Sequence, residues 1–267
     1  MSSYINNKDY INGFLKKRIV TIYIPFIVSN IIFIMIYIIK GRTFNWLETI
    51  EYILGIRIID GVMWFIFSII IFYLIFYISF KYTSIKVGAI IFSLGTIVYL
   101  ILGIILNLGT TITNISFAFG GGIFIAIYKE KFIEFLQKRY AIKIIGIIAI
   151  LGITRIISII SSNVFCREVI LNISTLSYAL LLVSLSRRFK LNGKIITILG
   201  AISFEIYLLH NKLIAVVPDI NKYVVIAIMY FTVLIMLSYI FSRVNNKINK
   251  NLVSKHKNLE LKINSSR

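Results

Sequence analysis

Cysteine, proline and acidic side chains are scarce in this sequence of 267 residues. The single cysteine, Cys166, excludes an intrachain disulfide and a cluster of thiolate metal ligands. Two prolines leave nearly all of the chain free to form uninterrupted helices. Acidic residues number 10 against 29 basic ones, which gives a net charge of +19. Such a charge is typical of chains that meet anionic partners, and its placement along the sequence decides which partner is favoured.

Apolar residues, by contrast, are abundant. They make up 59% of the chain, with a mean hydropathy of +0.92, whereas an ordinary soluble domain is closer to half apolar. Runs of about 20 apolar residues, the length that crosses a bilayer, recur along the sequence. We therefore predict an all-α fold, a polytopic transmembrane helical bundle. Met1–Gly13 is polar, so we expect no cleavable signal peptide.

About eight membrane spans are expected. They are Ile19–Ile39, Val62–Phe80, Val87–Leu106, Ile112–Tyr128, Ala141–Ile160, Val169–Leu185, Ile195–Val217 and Tyr223–Phe241. When the connecting segments alternate between two sides, most of the 29 basic residues fall on the side of the N-terminus. The positive-inside rule then predicts that both termini are cytoplasmic.

This placement predicts three regions: a cytoplasmic lead at 1–18, a transmembrane domain at 19–241 and a basic cytoplasmic tail at 242–267. The basic residues serve as topology signals and contacts to lipid headgroups, so the lipid bilayer is the expected partner. Nucleic acid is not an expected partner.

Glu205 and His210 are ionisable side chains inside the seventh run, Ile195–Val217. At 1.5 Å per helical residue, Glu205 lies about 15 Å and His210 about 22 Å from the inner end. A charge at mid-bilayer costs about 2.5–3.5 kcal/mol, so such residues usually face protein or water and mark function. Histidine suits proton abstraction from a hydroxyl, while a hydrogen bond to a neighbouring helix is the alternative for His210. No metal site is expected, because the spans hold no second histidine.

Further polar residues are predicted near the level of His210. Arg155 lies about 21 Å from the inner end of the fifth span, where its side chain either lines a site or extends to the outer headgroups. Asp60 and Trp64 lie at the outer end of the second span. His210, Arg155 and Asp60 are therefore predicted to share one outward-facing polar chamber.

A glycine triplet marks the fourth span. Gly120, Gly121 and Gly122 are typical of close packing between membrane helices. An unwound point that lines a cavity is the alternative.

Three segments resemble, in order and spacing, the signatures of the membrane acyltransferase-3 family: Phe14–Pro25, Trp64-Phe65 and Ser203–His210. The resemblance covers nearly the whole chain. It implies a multi-pass enzyme of the bacterial plasma membrane that moves an acyl group, commonly acetyl, from cytoplasmic acyl-CoA to a hydroxyl. The implied acceptor is a surface polysaccharide or a lipid-linked sugar precursor.

The resemblance also implies roles for residues. Donor binding falls on Arg18 and Lys17, since basic side chains bind the phosphates of CoA. No metal is implied. Combined with the predicted depths, it gives His210 and Glu205 as catalytic candidates. The substrate-binding candidates are Trp64, Asp60 and Arg155.

This sequence differs from the family pattern at three places. The family normally starts with two further spans, which carry an arginine and, some ten residues later, a histidine; the correspondence here begins after that region. Thr21 occupies the second arginine position of an Arg-x-x-Arg motif, and Val62-Met63 occupies a position where histidine is common. A polypeptide that supplies the missing spans is therefore an expected partner. An inactive family member that acts as a binding subunit, and a glycan transporter, are the alternative functions.

Overall fold

The computed structural model describes residues 8–61, 63–189, 193–214, 216 and 224–265, with side chains described within 11–61, 63–189, 193–214, 216 and 224–248. Three expected span boundaries, Val62, Val217 and Tyr223, lie outside these residues. The described chain is helical throughout and contains no strand. The all-α prediction is confirmed.

The described helices follow one another with short connections. They are α1 (Lys8–Ile39), α2 (Trp46–Leu54), α3 (Trp64–Lys81), α4 (Ile85–Ile105), α5 (Thr110–Thr113), α6 (Ser116–Ile127), α7 (Lys129–Gln137), α8 (Tyr140–Ile160), α9 (Val164–Arg188), α10 (Lys194–Ala201), α11 (Ser203–Ile214) and α12 (Val224–Ser265). Helix α1 runs without a break through the expected boundary at residue 18, and α12 runs through that at residue 241.

Within the described residues, seven segments are long and apolar enough to cross a membrane. They are Ile11–Ile39, Trp64–Lys81, Ile85–Ile105, Thr110–Ile127, Tyr140–Ile160, Val164–Arg188 and Val224–Ile248. Each corresponds to one of the expected spans. The chain is therefore a polytopic helical membrane protein, and the cytoplasmic location of its termini stays a prediction.

The seventh expected span, Ile195–Val217, is not one helix. It is divided at Ile202 into α10 and α11, of 8 and 12 residues. The hydroxyl of Ser203 donates to the carbonyl of Gly200 at 2.9 Å, a bond from a side chain back to the preceding turn. Gly and Ser together, with such back-bonding, are a known cause of helix kinks. Apolarity alone predicted the length of this run but not its interruption.

The chain divides into two compact units. The first unit contains Met1–Lys16 and Phe67–Leu191, and the second contains Lys17–Ile66 and Asn192–Arg267. Helices α1 and α3 each contribute to both.

The first unit has an aromatic core. Phe72 of α3 is fully buried and stacks on Phe119 of α6, with ring centroids 4.6 Å apart. Phe14 and Phe76 pack at 4.8 Å in the same cluster. Aromatic pairs at these distances add about 0.5–1.5 kcal/mol each to the stabilisation from buried area. In lipid the hydrophobic effect does not drive helices to associate, so side-chain packing holds them together.

Polar contacts connect α5 and α6 to α9 in the same unit. The hydroxyl of Thr113 donates to Oε2 of Glu168 at 2.5 Å, and both side chains are buried. The amide oxygen of Asn172 accepts from the backbone N–H of Phe117 at 3.2 Å. These bonds satisfy groups that lipid could not, and they fix the start of α6 against α9.

In the second unit, α2 is attached to α1 by polar side chains. The amide of Asn30 donates to the carbonyl of Tyr52 at 3.0 Å, and the hydroxyl of Tyr23 donates to the carbonyl of Leu54 at 2.8 Å. Helix α2 begins with the cap residue Asn45 and ends at Gly55, whose φ of 74° suits glycine.

An exposed arginine follows α2. Arg57 lies 3.2 Å from Oε1 of Glu48 and 3.4 Å from Oε2 of Glu51. A side-chain hydrogen bond with Tyr52, together with the charge of Glu51, raises the pKa of Arg57. Arg57 thus stays cationic over the whole working range of pH, and its exposed pairs contribute little stability.

Several glycines of the first unit lie where helices approach closely. A Cβ on Gly121 would overlap the Leu176 side chain, whereas a Cβ on Gly122 would meet nothing within 4 Å. Helix α6 is continuous through the triplet, so the unwound point is not observed, and close packing is found at Gly121 but not at Gly122. The closest backbone approach is at Gly88 of α4, where a Cβ would lie 2.8 Å from the carbonyl oxygen of Ser79.

We predict that Gly88→Ala destabilises the protein by about 1–3 kcal/mol, because the new methyl must displace a backbone carbonyl and the ring of Phe80. Gly122→Ala is the matched control and should be neutral or stabilising by up to about 1 kcal/mol through helix propensity. Thermal unfolding of the detergent-solubilised variants measures both. Equal unfolding temperatures for the two variants would contradict the close approach at Gly88.

Candidate functional site

Helix α11 is the helix of the second unit that carries Glu205, His210, Asn211 and Lys212. Its buried positions are Glu205, Leu208, Leu209 and Lys212, spaced three and four residues apart. This spacing places them on one face of a helix. One carboxyl and one ammonium group are thus turned away from lipid with the leucines between them.

The ammonium of Lys212 forms a buried ion pair with Asp60, which precedes α3. Lys212 Nζ lies 3.1 Å from Asp60 Oδ2, and the two side chains are 1% and 0% exposed. The amide of Asn211 donates to the other carboxylate oxygen, Asp60 Oδ1, at 2.6 Å. The backbone N–H of Met63 donates to the carbonyl of Asp60 at 2.9 Å. Asp60 therefore connects the start of α3 to the end of α11.

Each charge in this pair is compensated by further groups. Lys212 Nζ also donates to the carbonyl of Leu208 at 2.7 Å and lies 5.1 Å from the centroid of the Phe33 ring. An isolated ion would cost several kcal/mol to bury, and attraction to a partner repays this only when the remaining hydrogen bonds are made. The pair thus fixes the rotation of α11 about its axis.

The Trp-Phe signature meets α11 one turn from the ion pair. The ring of Phe65 packs edge-on against Tyr207, with centroids 5.5 Å apart. Tyr207 in turn lies 5.9 Å from the imidazole of His210. Trp64 is half-buried beside Phe65, with ring centroids 6.0 Å apart. Two of the three family-like segments therefore come into direct contact.

His210 has a defined hydrogen-bond geometry. Its ring is half-buried, and Nδ1 lies 2.7 Å from the carbonyl oxygen of Tyr207. A carbonyl oxygen only accepts, so Nδ1 carries the proton of this bond. In the neutral ring Nε2 then has a free lone pair, which is the state of a general base. The backbone carbonyl of His210 accepts from the hydroxyl of Tyr230 on α12 at 2.8 Å.

Glu205 lies five residues before His210 and is 8% exposed. It falls in the first turn of α11, just after the break at Ile202. Among the described residues, no hydrogen-bond donor or cation is paired with its carboxyl group. A carboxyl group buried in this way is unusual and marks a functional position.

The remaining predicted site residues are exposed. Lys17 and Arg18 lie on α1 at the start of the second unit, and Arg155 lies on α8 in the first unit. Asp60 contacts Asn211 and Lys212, the two residues after His210, and a chamber that Asp60 and His210 share stays a prediction. The place of Arg155 in it stays a prediction. Within the part of the chain that the structure describes, no three His, Cys, Asp or Glu residues are grouped as metal ligands.

Sequence reasoning missed Asn211 and Lys212. A signal was available, because Lys212 is a charge inside an apolar run and Asp60 is an opposite charge at the same predicted outer level. A lysine near the end of a span is usually interpreted as extending to the headgroups. Only the contact with Asp60 distinguishes a buried lysine from such a residue.

We predict that Lys212→Met destabilises the protein by about 3–5 kcal/mol, because Asp60 would be left buried without its cation. Adding Asp60→Asn to Lys212→Met should restore most of that loss, since the unpaired charge is removed. Unfolding temperatures of both variants, measured in detergent, give the coupling between the two residues.

Lys138→Met is the control for this cycle. Its pair with Glu134 at 3.1 Å is exposed on both sides, so its loss should cost less than about 1 kcal/mol. Equal effects of Lys138→Met and Lys212→Met would contradict the burial of the Asp60 pair.

Comparison with known proteins gives the family of the chain. The family model described as "Acyltransferase domain" matches residues 1–245, which is nearly the whole chain. No curated protein and no solved structure matches the chain. The match includes all three signature segments and both units. This multi-pass membrane protein therefore belongs to the acyltransferase-3 family.

Proposed function

We propose that the chain is a membrane O-acyltransferase that moves an acyl group, here acetyl, from acyl-CoA to a hydroxyl. The acceptor that we propose is a cell-surface polysaccharide or a lipid-linked glycan precursor of a bacterial envelope. Membership of the acyltransferase-3 family and the membrane-spanning helices support this reaction class. The identities of donor and acceptor rest on what the resemblance implies.

One observation carries the proposal for the chemistry: the Nδ1 of His210 is held by the carbonyl of Tyr207. This bond leaves Nε2 as the nitrogen that can accept a proton. A base within hydrogen-bond reach of a hydroxyl raises the rate of such reactions by about 10²–10⁴-fold. The Tyr207 ring packs against Phe65 and lies beside the imidazole of His210, so it limits the rotation of the His210 side chain.

In the proposed reaction, the acceptor hydroxyl gives its proton to Nε2 of His210 while its oxygen attacks the thioester carbonyl. The new C–O bond forms, the C–S bond breaks, and the thiolate of CoA receives the proton from the imidazolium. The products are an ester and free CoA, and His210 returns to its neutral state. Atoms and charge balance without a metal or a redox step.

The other residues have supporting roles in this proposal. Lys17 and Arg18, exposed at the start of the second unit, bind the phosphates of the donor. Trp64 and Arg155 contact the acceptor. The two carboxylate oxygens of Asp60 accept from Asn211 and Lys212. Through these bonds Asp60 positions α11 relative to the acceptor. Glu205 is the second proton-handling group, on the side of α11 nearer the donor.

We predict that His210→Ala lowers acyl transfer by about 10²–10⁴-fold and leaves donor binding unchanged, because only the base is removed. The measurement uses the full chain in lipid nanodiscs, radiolabelled acetyl-CoA and an envelope polysaccharide, with donor binding measured separately. His256→Ala, which changes the chain's other histidine, is the matched control and should retain wild-type transfer.

Full activity of His210→Ala would contradict its role as the base. Donor binding without transfer in the wild-type chain would instead support a binding or partner subunit, the non-enzymatic alternative. Restoration of transfer by a second polypeptide would then identify the subunit that completes the site.

A further inference from the structure

Helix α12 has a polar face inside the second unit. Ser238, Ser242 and Asn245 are spaced four and three residues apart, so they share one face, and all three are buried. Their neighbours Tyr239, Ile240 and Val244 are exposed, as expected for residues that meet lipid. We call Ser238, Ser242 and Asn245 the polar seam.

Two members of the polar seam make no hydrogen bond with their side chains. Oγ of Ser238, which is 0% exposed, has no partner, and neither Oδ1 nor Nδ2 of Asn245, which is 2% exposed, has one among the described residues. Ser242 Oγ accepts from Asn246 at 3.4 Å. A buried polar group without a partner weakens a fold, so natural proteins keep one mainly where it has another role.

The register of α12 against α11 places the seam relative to Glu205. The two helices pack side by side. The hydroxyl of Tyr230, near the start of α12, donates to the backbone carbonyl of His210, near the end of α11. Counting 1.5 Å per residue from that contact, Glu205 lies about 7–8 Å and Ser238 about 12 Å away in the same direction. The two side chains thus differ in depth by no more than about one helical turn.

Asn245 lies about 10 Å beyond Ser238, toward the end of α12 that continues into the basic tail. The seam and Glu205 together mark a line about 22 Å long from Asn245 to the level of His210. The predicted topology places Asn245 at the cytoplasmic end of this line.

The chemistry of the seam favours a neutral, extended ligand. Hydroxyl and amide groups donate to and accept from amides and hydroxyls. The basic residues of this stretch, Arg243 and Lys247, are exposed and so are off the buried face, and Arg243 bonds to Tyr239. Within residues 238–248 of α12, whose side chains the structure describes, the buried face therefore offers no cation to a phosphate. The pantetheine arm of CoA, by contrast, is a neutral, extended chain that carries two amides and a hydroxyl.

We propose that the polar seam of α12 binds the pantetheine arm of the acyl donor and guides its thioester past Glu205 to His210. This inference rests on the proposed function. It adds a binding role for Ser238 and Asn245, which none of the three signature segments contains. The phosphates stay with Arg18 and Lys17 outside the seam.

The test measures binding of acetyl-CoA to the full chain in nanodiscs, with adenosine 3′,5′-bisphosphate and pantetheine as competitors. Ser238→Ala and Asn245→Leu should each weaken acetyl-CoA and pantetheine about three- to tenfold, the effect of one neutral hydrogen bond. Binding of the bisphosphate should not change. Thr232→Val, an exposed hydroxyl on the same helix, is the control and should alter none of the three.

Unfolding temperature provides a second readout. Replacing an unpartnered polar group by an apolar one should leave the ligand-free protein as stable as the wild type or more so. A lower unfolding temperature with wild-type affinity for pantetheine would show a structural role and overturn the inference. Equal weakening of the bisphosphate would also overturn it. If the wild-type chain binds the bisphosphate and acetyl-CoA equally well, the pantetheine arm makes no contact with the protein, and only the proposal for the polar seam fails. If the chain binds neither compound, the proposed function itself fails.

Discussion

The ion pair between Asp60 and Lys212 is the constraint on which the arrangement of the second unit depends. Its two side chains are fully buried, so neither charge can be solvated, and each must be held by protein. The carboxylate of Asp60 accepts from Asn211 and Lys212 of α11, and its backbone carbonyl accepts from Met63, so this one residue connects α11 to the start of α3. The contact of Phe65 with Tyr207, and hence the surroundings of His210, follow from that connection.

Much of this fold follows from composition. Seven of the expected spans are helices because uninterrupted apolar runs have no other way to satisfy their backbone in lipid. The division of Ile195–Val217 was not predictable from apolarity, since Gly200 and Ser203 act through a local hydrogen bond and not through hydropathy. The broken helix is also the one that carries Glu205 and His210, so local patterning failed at the candidate site.

The site was predicted in its residue types more than in its contacts. Depth counting put His210 and Asp60 near one level, and in the structure Asp60 contacts Asn211, the residue after His210. The depth of a residue in the membrane does not give the rotation of its helix. The burial of Lys212 and the tautomer of His210 are therefore visible only in the structure. The buried Glu168, bonded to Thr113 in the first unit, also gave no signal, because it lies close to the end of its helix.

The break at Ile202 has a mechanical consequence. All side chains of α10 are at least partly exposed, whereas α11 is fixed by its ion pair and its contact with α12. At 1.5 Å per residue, α10 is about 12 Å and α11 about 18 Å long, so neither helix alone has the length that crosses the hydrocarbon of a bilayer. The kink between them lets α10 tilt while α11 keeps the contacts that position the imidazole.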